Sequence, residues 1–343
     1  MEKKEAYLYE KKENNRVRCF LCNHKCLIKE GAIGICGVRE NQGGTLASLV
    51  YGKVIARHVD PIEKKPLFHF LPNTRSYSIA TVGCNFKCLF CQNADISQMP
   101  ADQKRIWGED TTPQMIVDDA LANTSATISY TYTEPTIFYE LAADTARLAV
   151  SKGIRNIFVT NGYMTEECLK DIDPDLHGAN VDLKSFSDKF YKEQCGAKLE
   201  PVLKSIATMK EMGVWLEVTT LLIPGLNDSR EELKDLAKFL AALDPNIPWH
   251  ISRFHPTYRL TAVHPTPAQS IHLAKDIGYE MGLKYVYTGN LPGDAGEKTF
   301  CHGCGELLVD RTGFLVRENR IKDNQCPKCD AEIPGVWESK STA

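Results

Sequence analysis

The sequence predicts an α/β protein: a partial (β/α)6 TIM barrel flanked by an N-terminal Cys-rich module and a C-terminal zinc-ribbon-like module. Strand-like runs alternate with helical segments from residue 77 to 290, and eleven of the 13 cysteines fall into three tight clusters. Repeated strand–helix units favour a parallel sheet with right-handed crossovers. We predict four regions: a four-cysteine metal-binding module at 1–50, a linker packing on the barrel at 51–75, the barrel at 76–292, and a four-cysteine ribbon at 293–343.

The composition is that of an ordinary globular protein. Of the 343 residues 43% are hydrophobic and 25% are charged, and the net charge is -3. This balance argues against a broad nucleic-acid or membrane footprint. The opening residues are charged, and no later run approaches membrane-spanning length. We therefore expect a cytoplasmic protein in which clustered cysteines bind metal and do not form disulfides.

The first cysteine cluster is a set of four thiols near the N-terminus. A C-x2-C step followed by two further cysteines provides four soft ligands, suited to tetrahedral zinc or to an iron–sulfur cluster. We favour zinc over a cluster here, and we expect His24 to be a solvated loop residue, with replacement of one cysteine ligand by His24 as the alternative. The four cysteines are Cys19, Cys22, Cys26 and Cys36.

The stretch from 51 to 75 joins this module to the barrel. Prolines at 61, 66 and 72 interrupt any regular element. Apolar residues such as Val54 and Ile62 are available to cover the open side of the barrel. His69 is expected to be a packed or surface histidine, with a role as ligand or base as the alternative.

The second cluster organises the chain, and it reads GCNFKCLFCQN. Cys84, Cys88 and Cys91 have the spacing C-x3-C-x2-C, with Phe90 directly before the third thiol. Four cysteines are the ordinary ligand set of a 4Fe–4S cubane, so three thiolates leave one iron open to an outside ligand. The alternative is a tight three-cysteine zinc or structural site.

Seven strand-like runs follow the barrel pattern, and helix signals lie between them. Thr112, Ser229 and Thr266 each stand where a helix begins, with Glu232 completing a capping box for Ser229. Glycines stand where three helices should end. The strand runs are 77–82, 126–132, 155–160, 180–184, 214–223, 249–254 and 284–288.

Polar or glycine-containing groups end these strands. In parallel barrels chemistry collects at the C-terminal ends of the strands. Any one group is explained equally well as a capped strand end, but six at one edge indicate a functional rim. The groups are 131–134, 160–162, 182–184, 219–220, 253–256 and 288–290.

The third cluster predicts a ribbon with four thiolate ligands. Two C-x2-C knuckles flank a hairpin-like stretch, which is a strong signal for a tetrahedral site. Zinc is the first choice and a single iron the second. The ligands are Cys301, Cys304, Cys326 and Cys329.

Two cysteines stand apart from the clusters. Cys168 is expected to be a core residue. Cys195 follows the fourth barrel strand, where its thiol could take part in catalysis. The alternative for Cys195 is a small packed side chain.

The cysteine motif with its aromatic residue resembles the cluster motif of radical S-adenosylmethionine (SAM) enzymes. The resemblance implies a partial barrel of radical SAM type, with the amino and carboxylate groups of SAM on the open iron. It also implies reductive cleavage of SAM to a 5'-deoxyadenosyl radical, which takes hydrogen from a substrate.

Particular residues are matched to cofactor contacts by this resemblance. Thr133 and Glu134 lie where the family holds the SAM amino group, and Asn161 lies where it contacts the ribose. The remaining expected contacts to SAM or substrate are Phe90, Asp182, Lys184, Thr219 with the LLIPGLND turn that follows it, and His255.

Over nearly its whole length the chain resembles the radical SAM enzymes of the AmmeMemoRadiSam system, which resemble pyruvate formate-lyase activating enzymes. The segments CFLCNHKC, DPIEKKPLFHFLP, TYTEPT and WHISRFHPT carry the resemblance. It implies an oxidoreductase with an activase-like reaction, an electron donor such as ferredoxin or flavodoxin, and association with AMMECR-like and Memo-like proteins. The alternatives are an enzyme that modifies RNA or a small molecule, and an iron–sulfur electron carrier without turnover.

Overall fold

The N-terminal module consists of two small antiparallel sheets. The computed structural model describes residues 4–338. One sheet has the strand order β1-β6-β5 and the other has the order β2-β3-β4. The strands are β1 (Lys4–Glu5), β2 (Tyr9–Lys12), β3 (Arg16–Cys19), β4 (Leu27–Ile28), β5 (Arg39–Gln42) and β6 (Thr45–Ser48).

The centre of the molecule is an 8-stranded sheet with the order β16-β15-β14-β13-β12-β11-β9-β8. Strand β8 is antiparallel to β9, whereas every other neighbouring pair is parallel. The strands of this region are β7 (Lys53–Val54), β8 (Ala56–Pro61), β9 (Arg75–Ala80), β10 (Glu109–Asp110), β11 (Thr127–Tyr130), β12 (Arg155–Thr160), β13 (Gly178–Asp182), β14 (Trp215–Leu222), β15 (Trp249–Arg253) and β16 (Val286–Gly289).

Helices connect the parallel strands, as crossover connections in such sheets require. The helices are α1 (Ala94–Ser97), α2 (Met99–Asp102), α3 (Pro113–Ala122), α4 (Tyr139–Ser151), α5 (Glu166–Ile172), α6 (Asp188–Phe190), α7 (Leu199–Glu211), α8 (Arg230–Leu243) and α9 (Ala268–Glu280). A turn of π-helix, Tyr191–Cys195, continues α6, and short 3-10 turns lie at Ile62–Lys64, Pro135–Phe138 and Ala295–Glu297.

This architecture confirms the predicted α/β fold with its partial barrel. All seven predicted strands are present, and the sheet order ends at β8 and β16, so the barrel is open. Strand β8 lies within the stretch that we expected to be a linker. The stretch lacks a clear apolar alternation because β8 is an edge strand with several exposed or half-buried side chains.

The cap predicted for α8 is confirmed in part. Ser229 accepts a hydrogen bond from the backbone N–H of Glu232 at the start of α8. The capping box is wrong, however, because the Glu232 carboxylate accepts from the Ser185 hydroxyl and from the backbone N–H of Phe186 at 2.8 Å. Glu232 thus fastens α8 to the loop that follows β13.

The start of α9 also differs from the prediction. Helix α9 begins after Pro267 without a side-chain cap. The Thr266 hydroxyl donates to the carbonyl of Leu222 at 2.5 Å and accepts from the N–H of Phe254 at 3.0 Å. Thr266 therefore joins the ends of β14 and β15. By contrast, the predicted cap at Thr112 is confirmed, since its side chain accepts from the N–H of Met115.

Residues 61–71, which we call the floor segment, pass beneath the amino ends of the barrel strands. Buried Glu217, near the start of β14, accepts from the backbone N–H groups of Phe68 at 3.0 Å and His69 at 2.8 Å. The same carboxylate accepts from the indole of Trp215 at 3.0 Å and contacts the ring of His250 at 2.6 Å. One buried carboxylate therefore holds the floor segment against two strands.

The C-terminal ribbon packs on the floor segment, on the side that faces away from the carboxyl ends of the barrel strands. Arg311 donates to the carbonyl of Phe68 at 2.5 Å, and the backbone of Val336 bonds to His69 and Leu71. The ribbon strands are β17 (Thr299–Phe300), β18 (Leu307–Thr312) and β19 (Leu315–Asn319).

His69 should make stability depend on pH. Its ring is fully buried between the hydroxyl of Tyr287 at 2.6 Å and the carbonyl of Pro334 at 2.8 Å. Burial lowers the pKa of His69 to about 4. The His69 ring takes up a proton near pH 6.5 in the unfolded chain but only near pH 4 in the folded protein. The folded state therefore keeps its full stability above about pH 6.5 and loses roughly 3 kcal/mol of it as the pH falls towards 4.

The measurement is the free energy of unfolding between pH 7 and 5, compared for wild type and His69→Gln. The slope should be shallower in the variant, while His264→Gln, at an exposed position, should keep the wild-type slope. Equal slopes in all three proteins would show that His69 contributes nothing.

None of the helices in the described part of the chain combines the length and hydrophobicity that crossing a bilayer requires.

Candidate active site

The three cysteines of the central motif lie in the loop after β9, at the carboxyl ends of the barrel strands. Gly83 precedes the first of them with a φ of +102°. A Cβ at this position would stand 2.7 Å from the side chain of Val38 and 3.1 Å from the carbonyl of Cys36. Only glycine therefore allows the loop to approach the N-terminal module so closely.

The three thiols have separate partners. The Cys84 sulfur accepts from the N–H of Phe86 at 3.3 Å, and the Cys91 sulfur lies 3.2 Å from the hydroxyl of Ser97. The Cys88 thiol has the Cys195 thiol as a neighbour that shifts its pKa. All of these cysteines are free thiols.

Their spacing fits a cubane better than a single ion. Within residues 4–338, only the ribbon cysteines form a group of three or more possible ligands whose atoms lie within 4.8 Å of one another. The sulfurs of Cys84, Cys88 and Cys91 therefore do not all lie within 4.8 Å of one another, which suits thiolates on different irons of a cubane. The buried amide nitrogen of Asn85 also has no hydrogen-bond partner within the described residues, which leaves a donor beside the cluster.

Cys195 is brought directly to this loop. It ends the π-helical turn after α6, and its carbonyl accepts from the N–H of Lys87 at 2.8 Å. The neighbouring carbonyl of Gln194 accepts from the N–H of Leu89 at 3.0 Å. The neighbouring Cys195 thiol lowers the pKa of Cys88, while burial and the neighbouring Cys88 thiol raise the pKa of Cys195. The catalytic role of Cys195 stays a prediction, but its position beside Cys88 is now defined.

We expect Cys195→Ala to lower the reduction potential of the cluster. A thiol that donates to a ligand sulfur stabilises the reduced, more negative cluster. Loss of a bond worth about 1 kcal/mol corresponds to roughly 40 mV for one electron. An electron paramagnetic resonance (EPR) redox titration measures the shift, with Cys168→Ala as a buried-cysteine control. Loss of cluster iron from Cys195→Ala would instead identify Cys195 as a fourth ligand.

Lys184 and Asp182 place a charged pair beside the cysteines. The Lys184 ammonium lies 3.0 Å from the Asp182 carboxylate and 5.9 Å from the ring centroid of Phe90. Burial alone would lower the pKa of Lys184, but the Asp182 carboxylate and the Cys88 thiolate raise it well above its usual value. Lys184 therefore supplies a fixed positive charge next to Cys88. Phe90 itself is buried against Phe190.

Glu134 is a buried carboxylate that joins two strand ends. One oxygen accepts from the N–H of Thr136 at 3.1 Å and the hydroxyl of Thr160 at 2.7 Å. The other accepts from the N–H of Asn161 at 2.8 Å. Burial raises the pKa of Glu134. Because the second oxygen accepts one bond from the described residues, it has capacity for a further donor such as an amino group.

Asn161 and Thr133 belong to the same network. The Asn161 side chain donates to the side-chain amide oxygen of Asn85 at 2.7 Å and accepts from the N–H of Tyr163 at 3.1 Å. The Thr133 hydroxyl donates to the carbonyl of Thr81 at 2.9 Å. Both residues thus lie at the strand ends, and Asn161 directly contacts the cysteine loop through Asn85.

The last two residues predicted to contact SAM or substrate are Thr219 and His255. The buried hydroxyl of Thr219 has no partner among residues 4–338. His255 is exposed in the loop after β15. That loop reaches the cysteine motif, since the N–H of Arg259 donates to the carbonyl of Leu89 at 2.9 Å.

Sequence reasoning missed three residues of this site. Asn85 lies within the cysteine loop and bonds to Asn161, Ser97 contacts Cys91, and the His24 ring lies 2.8 Å from the backbone carbonyl of Asn85. His24 was expected to be a solvated loop residue, but it is half-buried against Tyr163. Only the position of Asn85 directly after Cys84 was a usable signal, because the other two contacts depend on the path of the chain.

The ribbon cysteines form a compact group. The sulfurs of Cys301 and Cys329 are 3.6 Å apart, and those of Cys304 and Cys326 are 3.8 Å apart. A tetrahedral ion with Zn–S bonds of about 2.3 Å separates its sulfurs by about 3.8 Å. The group therefore fits one ion, either zinc or iron.

Cys326→Ser should weaken metal binding at the ribbon more than roughly 100-fold and lower the melting temperature. Metal analysis of the purified protein should show one ion fewer per chain than wild type. His302→Ala is the matched control, because His302 lies exposed between two ligands and bonds to Tyr285 instead. Unchanged metal content in the serine variant would contradict the assignment.

Comparisons with known proteins agree with this geometry. The family model described as Radical SAM superfamily matches residues 78–240. The uncharacterized protein MJ0808 of Methanocaldococcus jannaschii is 45% identical over 96% of this chain and 98% of its own length. The pyruvate formate-lyase-activating enzyme of Clostridium pasteurianum is 25% identical over 46% of this chain and 66% of its own.

A solved structure shares the fold. SuiB of Streptococcus suis, in its structure bound to S-adenosylmethionine, matches with a TM-score of 0.51 and 14% identity. The match covers 70% of this chain and 56% of SuiB. At this level of identity the similarity shows the architecture alone.

Proposed function

The chain belongs to the radical SAM superfamily, and from that premise we propose that it is an enzyme that takes a hydrogen atom from a protein or peptide substrate. The observation that carries the proposal is the set of three thiols in the loop at the strand ends, with Lys184, Glu134 and Asn161 around them. A 4Fe–4S cluster with bound SAM would supply one-electron cleavage of SAM to a 5'-deoxyadenosyl radical.

The chain's own residues would hold and shield these groups. Cys84, Cys88 and Cys91 would each bind one iron, and the fourth iron would be free for the amino and carboxylate groups of SAM. The free acceptor capacity of Glu134 suits the SAM amino group. Lys184 offers its positive charge near Cys88, where a reduced cluster gains negative charge.

Exclusion of water is the second contribution of the protein. Cys88 is 8% exposed and Phe90 is 3% exposed. A dry site keeps a reactive radical from side reactions and strengthens each electrostatic contact. The buried Thr219 hydroxyl, on β14, is available to a ligand that fills the barrel mouth.

The choice of a protein substrate rests on the relatives. The Clostridium enzyme that resembles this chain is named for the activation of pyruvate formate-lyase, which is itself a protein. We propose the same substrate class here, together with AMMECR-like or Memo-like proteins as partners.

The test is anaerobic. The protein is reconstituted with iron and sulfide, reduced with dithionite and given SAM, and 5'-deoxyadenosine is quantified. We expect the nucleoside to form and SAM to change the EPR spectrum of the reduced cluster. A full, reducible cluster that gives neither result would overturn the proposed enzyme function.

The proposed substrate class is tested by a separate experiment. Candidate glycyl-radical proteins are added to the same mixture and examined for a protein-bound radical by EPR. A protein radical supports the activase-like reaction. Formation of 5'-deoxyadenosine with no protein radical would redirect the search to RNA or small-molecule substrates.

A further inference from the structure

We propose that the N-terminal module holds a second iron–sulfur cluster in place of zinc, and that this cluster passes electrons to the site at Cys84, Cys88 and Cys91. The cluster itself is independent of the proposed function, whereas its role as an electron relay rests on it. The ligands are Cys19, Cys22, Cys26 and Cys36.

The spacing of the thiols carries the assignment. All four cysteines line a single cavity. Yet, over the part of the chain that the structure describes, only the ribbon thiols are close enough to share one ion. The N-terminal thiols resemble the Cys84, Cys88 and Cys91 set in this respect, and differ from the ribbon, where sulfurs are 3.6 and 3.8 Å apart. Thiolates that each bind their own iron need the wider spacing.

A buried cation faces these cysteines. Arg39 is 2% exposed and donates to the sulfur of Cys19 at 3.1 Å. Its other side is paired with buried Glu140. Hydrogen bonds and positive charge at a ligand sulfur stabilise the reduced form of an iron–sulfur cluster. The apolar side chains of Leu21, Ile28 and Ile137 also line the cavity.

The two cysteine sets are separated by a single layer of residues. The ring of His24, between Cys22 and Cys26, lies 2.8 Å from the carbonyl of Asn85, which directly follows Cys84. On the other side, the carbonyl of Cys36 packs against Gly83, which directly precedes Cys84. Two short routes therefore connect the N-terminal cavity to the same cysteine.

The far side of the module reaches the surface through an apolar patch. Leu27, Ile33 and Ile35 are 47%, 50% and 47% exposed, and Leu27 directly follows Cys26 while Ile35 directly precedes Cys36. Exposed Lys25 and Lys29 flank Leu27 in the chain, with one exposed carboxylate, Glu30, beside them, and exposed Lys87 lies near the His24 ring. An apolar centre with basic surroundings suits an acidic, one-electron carrier of ferredoxin type. The carrier would lose one electron to the N-terminal cluster, which would pass it on to the Cys84 site.

The first experiment counts clusters without using activity. The triple variant Cys84→Ala, Cys88→Ala, Cys91→Ala is reconstituted anaerobically with iron and sulfide. We expect about four acid-labile sulfides per chain to remain, with an EPR signal on reduction, because one cubane is left. Addition of Cys19→Ser and Cys36→Ser to this variant should remove both the labile sulfides and the EPR signal.

Zinc in place of a cluster in the N-terminal module would overturn the proposal. A triple variant with about two zinc ions per chain and no labile sulfide would overturn the proposal, since each four-cysteine site would then hold one ion. The wild-type protein provides a measurement that no substitution disturbs: about eight labile sulfides are expected, and about four would contradict the second cluster.

The second experiment tests the electron path. Leu27→Glu with Ile35→Glu should slow cluster reduction by a reduced ferredoxin about tenfold, through repulsion and loss of apolar contact, and leave reduction by dithionite unchanged. Phe314→Glu with Leu315→Glu, at exposed ribbon positions, is the control. Unchanged reduction by ferredoxin would overturn the relay. A protein with both clusters but no 5'-deoxyadenosine would overturn only the proposed function.

Discussion

Replacement of Cys88 by alanine should lower formation of 5'-deoxyadenosine to background, roughly a thousandfold or more below wild type. Two thiolates would remain for a cluster that needs a thiolate on each of three irons, so the cubane would be lost or incomplete. The Cys195 thiol and the charge of Lys184 both act on Cys88. The measurement is chromatographic quantification of the nucleoside after anaerobic reaction with SAM and dithionite.

Cys168→Ala is the matched control for this prediction. Its thiol is fully buried on α5, an element separate from the cysteine loop. The control should keep the cluster and most of the nucleoside yield, at a modest cost in stability of about 1 kcal/mol. Wild-type yield from the Cys88 variant would mean that this motif does not hold the reactive cluster.

Glu217→Gln should destabilise the fold by about 3 kcal/mol. One carboxylate oxygen accepts from the N–H of Phe68 and contacts the ring of His250, and the other accepts from the N–H of His69 and the indole of Trp215. Either orientation of an amide turns its NH2 group towards donors. At least one backbone N–H of the floor segment would then be buried without an acceptor.

The change is measured as the free energy of unfolding in urea under anaerobic, metal-replete conditions. Glu211→Gln, an exposed position at the end of α7, is the control and should change stability by less than about 0.5 kcal/mol. Because Glu217 lies at the amino ends of the strands, folded Glu217→Gln should keep its cluster and its yield of 5'-deoxyadenosine. A stability equal to wild type would mean that the floor segment is held by other contacts.

Much of the fold was predictable from local sequence pattern. Strand runs of β-branched and aromatic residues, with helix caps such as Thr112 between them, specify the alternation of elements over short stretches of chain. The ribbon ligands were equally clear, because two C-x2-C knuckles carry their chemistry in spacing alone. The capping box at Ser229 failed because Glu232 found better donors on a different loop.

For the candidate site, as for the fold, part was predictable from the sequence and part was not. The sequence alone predicted which cysteines act together, since thiols a few residues apart can reach one site, and it showed that polar groups follow the predicted strands. The tertiary structure alone decided that Cys195 lies against Cys88, that His24 and Cys36 approach the loop around Cys84, and that His69 and Glu217 tie the ribbon to the barrel floor. These contacts join residues far apart in the chain, and local propensity does not encode which of them meet. They form because burial of the barrel core brings distant segments together and leaves their polar groups no other partners.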